Sequence, residues 1–368
     1  MWRHLYARAS GCTTAAVLFA LGCSEVTGNG SDLPETLPED RGSAITPEDA
    51  VGYWSELVWS PDDREIYFIA LPPSGPFTIR AAAVDDGGQR DLDAASRQYQ
   101  SLQLSPDGTL LYYLASEAMD GGAYAVHVVD VAGGDPAKLV DSVQSFVLSQ
   151  DGAYLAFTRT SRYCSGIECD SLRVVTLATG QEVPVTSGEP LTFSPDGASI
   201  VSARANVGTM TDTYYVTRIE DGATHELDID ESEGWVRSVR WDEKGLQALL
   251  EALTCAQGGC SEQFLLRDLE TGGIRQVWEY VGRDWGGPEL KAWSADGERF
   301  AFLTWHCVEA EDLFTCAVPQ YKLHEVAPTE GREAIVAVVN ATVGITAFAR
   351  TRRSIAYSAD SRIYVVDY

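Results

Sequence analysis

The side chains best able to do chemistry in this 368-residue chain are eight cysteines, five histidines, one acidic cluster and a scatter of tryptophans and arginines between apolar runs. Six cysteines form three local pairs: Cys164 with Cys169, Cys255 with Cys260, and Cys307 with Cys316. Zinc accepts Cys-x4-Cys ligands, but two such pairs must then meet in a reducing setting. Disulfides closing short loops explain the spacing and the even number in an exported protein, and are the expectation. Beyond the leader, His127, His225, His306 and His324 stand far apart with no ligand spacing. Asp228, Asp230, Glu231 and Glu233 could supply oxygen ligands to Ca²⁺. They lack the glycine of the EF-hand loop, so a solvated acidic loop is expected there. The sequence has no Gly-x-Ser-x-Gly elbow, phosphate loop or His-Glu-x-x-His. No catalytic residue, metal or cofactor is therefore expected.

The net charge of −27 argues against a nucleic-acid partner, because a phosphate backbone needs a basic surface. Residues 1–22 read as a signal peptide: Arg3 and Arg8, then a small apolar stretch too short to span a bilayer. It ends in Ala20-Leu21-Gly22-Cys23, which resembles a bacterial lipobox. Cysteine parity points the same way. Cleavage removes Cys12, and lipid on Cys23 leaves the six paired thiols; a free Cys23 would leave an odd one. Cys23 is thus the expected lipidation site, giving a stable membrane anchor. Ser24 after it, rather than Asp, implies sorting to the outer membrane where that rule operates. Residues 23–50 carry no aromatic residue and few large apolar ones, and read as the anchor cysteine followed by a flexible acidic tether.

What positions these groups is a repeat. A Ser-Pro-Asp-Gly-type turn between two apolar runs recurs with first residues Ser60, Ser105, Ser149, Ser194, Asp242, Ser294 and Ala349. Proline presets φ at the second turn position and glycine tolerates positive φ. The preceding residues, Trp59, Leu104, Leu148, Phe193, Trp241, Trp293 and Phe348, are all large and apolar, so that position must be buried in every repeat. A second glycine-containing turn follows in most units, as in Val-Asp-Asp-Gly-Gly and Leu-Ala-Thr-Gly. Each unit therefore holds four strands. A period of this length with short strands predicts a propeller.

Two segments strain the pattern. Leu246, Leu249, Leu250 and Leu253 have helical spacing, yet repeat register predicts a strand. The seventh unit stops at strand three. A closed ring then needs a strand from the N-terminal side, and Gly-Ser-Ala-Ile-Thr-Pro-Glu-Asp-Ala, residues 42–50, is the candidate. The expectation is an all-β, seven-bladed β-propeller over residues 51–368, with four-stranded antiparallel blades closed by the two chain ends.

The Ser-Pro-Asp-Gly hairpin followed by Leu-Leu-Tyr-Tyr-Leu-Ala or Tyr-Leu-Ala-Phe-Thr-Arg resembles the repeat of TolB-like, WD-type-related β-propellers, over residues 51–368. The α/β domain before the propeller of TolB has no counterpart here, nor does the hydrolase domain of prolyl oligopeptidases. The resemblance implies an exported envelope protein that binds or scaffolds, by analogy of fold alone.

The cysteine pairs fall between strands two and three, on the face opposite the Ser-Pro-Asp-Gly turns. That face is expected to carry Trp54, Arg162, Tyr163, Trp235, Arg283, Asp284, Trp285, Trp305 and His306, since aromatic and arginine side chains are the usual binding anchors. The expected function is binding or scaffolding of a protein or peptide by a monomeric, lipid-anchored, non-catalytic propeller in the cell envelope. The alternative is a propeller lyase or hydrolase with its site at the channel mouth.

Overall fold

Five of the Ser-Pro-Asp-Gly-type segments, those that begin with serine, close a hairpin through the same bonds. Ser60, Ser105, Ser149, Ser194 and Ser294 donate their backbone N–H to the carbonyl five residues on, at 2.8–3.0 Å. In the first four, the serine hydroxyl donates to the turn aspartate at 2.6–2.7 Å. In all five it accepts the N–H of residue i+5 at 2.9–3.0 Å. One hydroxyl thus satisfies two groups the turn would otherwise leave unpaired.

The computed structural model describes residues 39–48, 56–70, 77–94, 98–116, 123–159, 171–194, 196–206, 211–226, 235–241, 247–256, 259–268, 273–280, 286–294, 299–310, 316–327, 332–340 and 343–368. They form six antiparallel sheets and, among them, no helix. The N-terminal strand β1 (Ser43–Ala44) belongs to the last sheet. Repeat one is β2 (Leu57–Trp59), β3 (Glu65–Ala70), β4 (Thr78–Ala83) and β5 (Gln89–Asp93). Repeats two and three share one seven-stranded sheet. It runs β6 (Gln98–Leu104), β7 (Leu110–Ser116), β8 (Tyr124–Asp130), β9 (Ala137–Leu148), β10 (Tyr154–Arg159), β11 (Ser171–Thr176) and β12 (Gln181–Ser187). Strand β9 is long enough to end one unit and begin the next. Repeat four is β13 (Glu189–Phe193), β14 (Ser199–Asn206), β15 (Thr211–Arg218) and β16 (Thr224–Glu226). Repeat five is β17 (Trp235–Trp241), β18 (Gln247–Ala256), β19 (Gly259–Asp268) and β20 (Ile274–Tyr280). Repeat six is β21 (Gly286–Trp293), β22 (Phe300–Ala310), β23 (Cys316–Ala327) and β24 (Arg332–Val339). The final sheet is β25 (Val343–Phe348), β26 (Ser354–Ala359), β27 (Arg362–Asp367) and then β1.

Strands two of repeats one, two and seven are buried on both faces, whereas β16 at the outside is fully exposed. Buried apolar side chains from consecutive sheets mix in shared clusters. Leu303 and Val339 lie with Ile355 and Tyr357, and Trp59 and Phe68 with Ala356 and Ile363. Burial on both faces removes the period-2 alternation from strand two. Leu249, Leu250 and Leu253, helical in spacing, stand in the strand β18 that repeat register predicts.

The folded part starts before residue 51. Asp40 and Val338 exchange both backbone bonds at 2.9 Å, Ser43 and Ala44 lie opposite Val365 and Tyr364, and Ile45 donates to Ile363. Ile45 and Thr46 are buried. The tether expected up to residue 50 therefore ends by Glu39, and residues 39–48 form a strap over the outer strands of the last two sheets. Gly42 is required there. Its φ is +66°, and a Cβ would meet the Val365 carbonyl oxygen at 2.3 Å.

Candidate functional site

The Ser294 turn begins β22, and the connection to β23 leaves its other end. The ends of β22 and β23 that the strand 2–3 connection joins therefore lie on the side opposite the Ser294 turn, as the sequence implied. In repeat six these two strands reach furthest. Trp305 and Tyr321 stand directly opposite one another across them. Their rings stack, with centroids 6.1 Å apart and planes at 23°. Both are half-buried, Tyr321 resting on the apolar cluster beneath. Two residues past Trp305, Cys307 is disulfide-bonded. An aromatic pair on a ladder of this length, with a covalent staple nearby, is a rigid platform that costs little side-chain entropy to use.

Alternate residues face the other side of the sheet. There Gln320 is fully buried and donates to Asn340 Oδ1 at 2.8 Å. His324, also buried, stacks on Phe302 with centroids 4.6 Å apart. Its Nε2 bonds Thr304 Oγ1 and its Nδ1 bonds Glu333 Oε1, both at 2.8 Å. A hydroxyl, an imidazole and a carboxylate in line is the order of an activated nucleophile. Here they come from three adjacent strands, and the line ties β22, β23 and β24 together laterally.

Of the expected face residues, Trp305 is placed with its side chain. His306 has its backbone opposite Gln320, and Trp235 starts β17 opposite Leu253, but neither side chain is described. Gly286, first residue of β21, lies opposite Trp305, whereas Arg283, Asp284 and Trp285 precede the described residues of that strand. Those three, with Trp54, Arg162, Tyr163, Cys164, Cys169, Cys23 and the acidic cluster Asp228, Asp230, Glu231 and Glu233, lie outside the described residues. Cys255 stands directly opposite Cys260, a spacing that suits a disulfide. Cys316 lies opposite Ala310, offset from Cys307. Tyr321 escaped the sequence reading. Counting back from the Cys307–Cys316 pair puts the wrong residue opposite Trp305, because register shifts interrupt the ladder at Glu309.

On the inner strands, Glu56 precedes β2 and accepts the N–H of Leu102 at 2.5 Å, tying repeat one to repeat two. Burial pushes its carboxyl above the usual range, against the pull of the Ser101 and Leu102 amides.

No family model matches the chain, and no curated protein matches it. Solved structures do. An oligogalacturonate lyase in complex with manganese aligns with TM-score 0.68 at 14% identity, covering 91% of this chain and 96% of that one. Oligogalacturonate lyase from Vibrio parahaemolyticus aligns with TM-score 0.69 at 12% identity, covering 88% and 92%. TolB from Acinetobacter baumannii, at TM-score 0.49 and 16% identity, is covered over 64% of its length and 78% of this chain. The chain has the all-β, antiparallel fold of β-propellers.

Proposed function

We propose that this chain is a lipid-anchored, seven-bladed propeller of the cell envelope that binds or scaffolds a protein or peptide on its strand 2–3 face, without catalysis. The observation that carries the reading is the stacked Trp305–Tyr321 pair on the extended β22–β23 ladder. Large rigid aromatics at the end of a stapled hairpin are the anchors binding surfaces use. The reading of seven blades is supported by the seven-stranded sheet of repeats two and three, which holds two units on the common strand β9. Ring closure by the two chain ends is supported by the β1–β27 pairing and by the cluster joining Trp59 and Phe68 to Ala356 and Ile363. The anchor at Cys23, export to the outer membrane, the three disulfides and a monomeric state complete the proposal.

A second reading is a propeller lyase with its site at the channel mouth, favoured by the two oligogalacturonate lyases among the similar structures. A photo-crosslinking residue at position 305, compared with one at position 107 on the opposite turns, separates the two. Discrete protein adducts from 305 and none from 107 support binding. Unsaturated uronate ends formed from oligogalacturonate with manganese, without adducts, would favour the lyase.

A further inference from the structure

The turn that opens the last repeat has lost its acid. Asp62, Asp107, Asp151 and Asp196 hold the third position of the turns in repeats one to four, where each accepts its own serine hydroxyl. In the connection from β25 to β26 that position is Thr351, with Arg350 and Arg352 on either side of it. The backbone N–H groups of Arg350, Thr351 and Arg352 converge on the Asp63 carboxylate at 2.6–2.9 Å. Arg64 follows Asp63 directly, so three arginines are rooted around one buried carboxylate. Arg350 is exposed, and its guanidinium meets no acceptor among the described residues. Arg352 is half-buried, its guanidinium carbon 5.0 Å from the centroid of the Trp59 ring, which holds its plane. Its Nε and Nη2 are shielded, which leaves Nη1 as the donor open to solvent. The Arg64 side chain is 80% exposed and only loosely paired with Asp62, at 3.7 Å. The next charges along are engaged elsewhere: Arg353 pairs with buried Glu325 at 3.3 Å, and Asp367, beyond it, accepts from the Ser354 hydroxyl. Three arginines thus share the surface of this turn with one exposed carboxylate beside them, Asp62, in a chain of net charge −27.

We propose that Arg64, Arg350 and Arg352 form a site for a phosphate dianion on the turn side of the last repeat, away from the strand 2–3 face. A phosphate group carries up to two charges and three strong acceptor oxygens, one for each arginine. A carboxylate carries one charge and two oxygens, and would leave an arginine unmatched. Guanidinium is well suited to phosphate because it is always charged, weakly hydrated and rich in donors. A broad anionic surface such as a membrane fits poorly. Consecutive turns stand side by side, Gly108 against Pro61 and Gly152 against Pro106, so such a surface would press on Asp107 and Asp151 as well. The ligand chemistry is therefore that of a compact phosphate, free or at the end of a small monoester.

The test titrates the full chain with inorganic phosphate at low salt and about pH 8, where phosphate is a dianion, and follows binding by phosphorus NMR. Acetate is the single-charge control. Phosphate should bind, and acetate should bind at least about tenfold more weakly. The R350Q/R352Q variant should weaken phosphate binding at least about tenfold. Arg352 packs on Trp59, so Arg350→Gln is the variant that leaves the fold alone; it should weaken binding several-fold at an unchanged urea midpoint. Asp62→Asn removes the competing carboxylate and should tighten binding several-fold, which a folding defect would not do. Glycerol phosphate bound as well as inorganic phosphate assigns the site to a monoester terminus, and its exclusion assigns the site to the free anion; either result upholds the proposal. No phosphate binding at millimolar concentration, equal binding of acetate, or unchanged affinity in Arg350→Gln overturns it.

Discussion

Where the last repeat meets the first, the turn chemistry changes. Ala349 stands in place of the turn serine, so the segment at residues 350–352 lacks that hydroxyl. Asp63 supplies the acceptor from repeat one. Its carboxylate accepts from the N–H of Arg350 and Thr351 at 2.6 Å, from Thr351 Oγ1 at 2.5 Å and from the N–H of Arg352 at 2.9 Å. Asp63 is only 4% exposed and has φ +57°, in the slot glycine fills in repeats two and three. Bonds to a charged acceptor contribute about 1.5–3 kcal/mol each in isolation. Donors sharing one carboxylate do not add, so Asp63→Ala should cost about 3 kcal/mol in urea unfolding. Asp63→Gly loses the same bonds but relieves the left-handed backbone, which recovers about 1 kcal/mol. Asp63→Asn keeps the shape and one acceptor and should cost less than alanine. The carboxyl also titrates. Burial alone would push it up, but the Thr351, Arg350 and Arg352 donors outweigh burial and hold it below its ordinary value of 3.8. Its contribution is therefore complete above that value and fades as pH falls through the lower folded value. Asp63→Asn should flatten this acid limb. A cost under about 0.5 kcal/mol for alanine, or glycine no better than alanine, would refute the latch.

Three further outcomes follow from the same contacts. Gly42→Val should loosen the strap, because the side chain would meet the Val365 carbonyl; hydrogen exchange should rise at Tyr364 and Val365 while repeat two stays protected. Gly108→Ala places a Cβ 2.2 Å from Pro61 Cγ at φ +74°, and should cost about 2 kcal/mol or more by denaturant unfolding, since strain and overlap act together. Glu56→Gln keeps an acceptor for Leu102 without the buried charge. Since the folded carboxyl is raised, the native acid loses stability as pH climbs, and the variant should be the more stable near about pH 8, with the difference closing near about pH 4.

The repeat was legible because each Ser-Pro-Asp-Gly turn is a local device: serine, aspartate and glycine bond within five residues, and those bonds exist wherever the motif stands. The large apolar residue before each turn could be placed for the same reason: Trp59, Leu104, Phe193 and Phe348 are buried, whereas Leu148, expected buried like the rest, is half-buried on the shared strand β9. A wrapping N-terminal strand could also be foreseen, because an unpaired outer edge beside β27 demands a partner. Its starting point could not. Asp40 and Arg41 look like tether residues until Val338, Asp360 and Tyr357 come within reach from more than 290 positions away. The Trp305–Tyr321 platform, the His324 tie and the Asp63 latch depend on cross-strand register and on which sheet edge meets which. Bulges in one ladder and the contacts between the last repeat and the first set those, and neither leaves a mark in the local sequence. Local bonds determined the hairpins; the meeting of distant edges decided which side chains face one another, and so where binding chemistry is available.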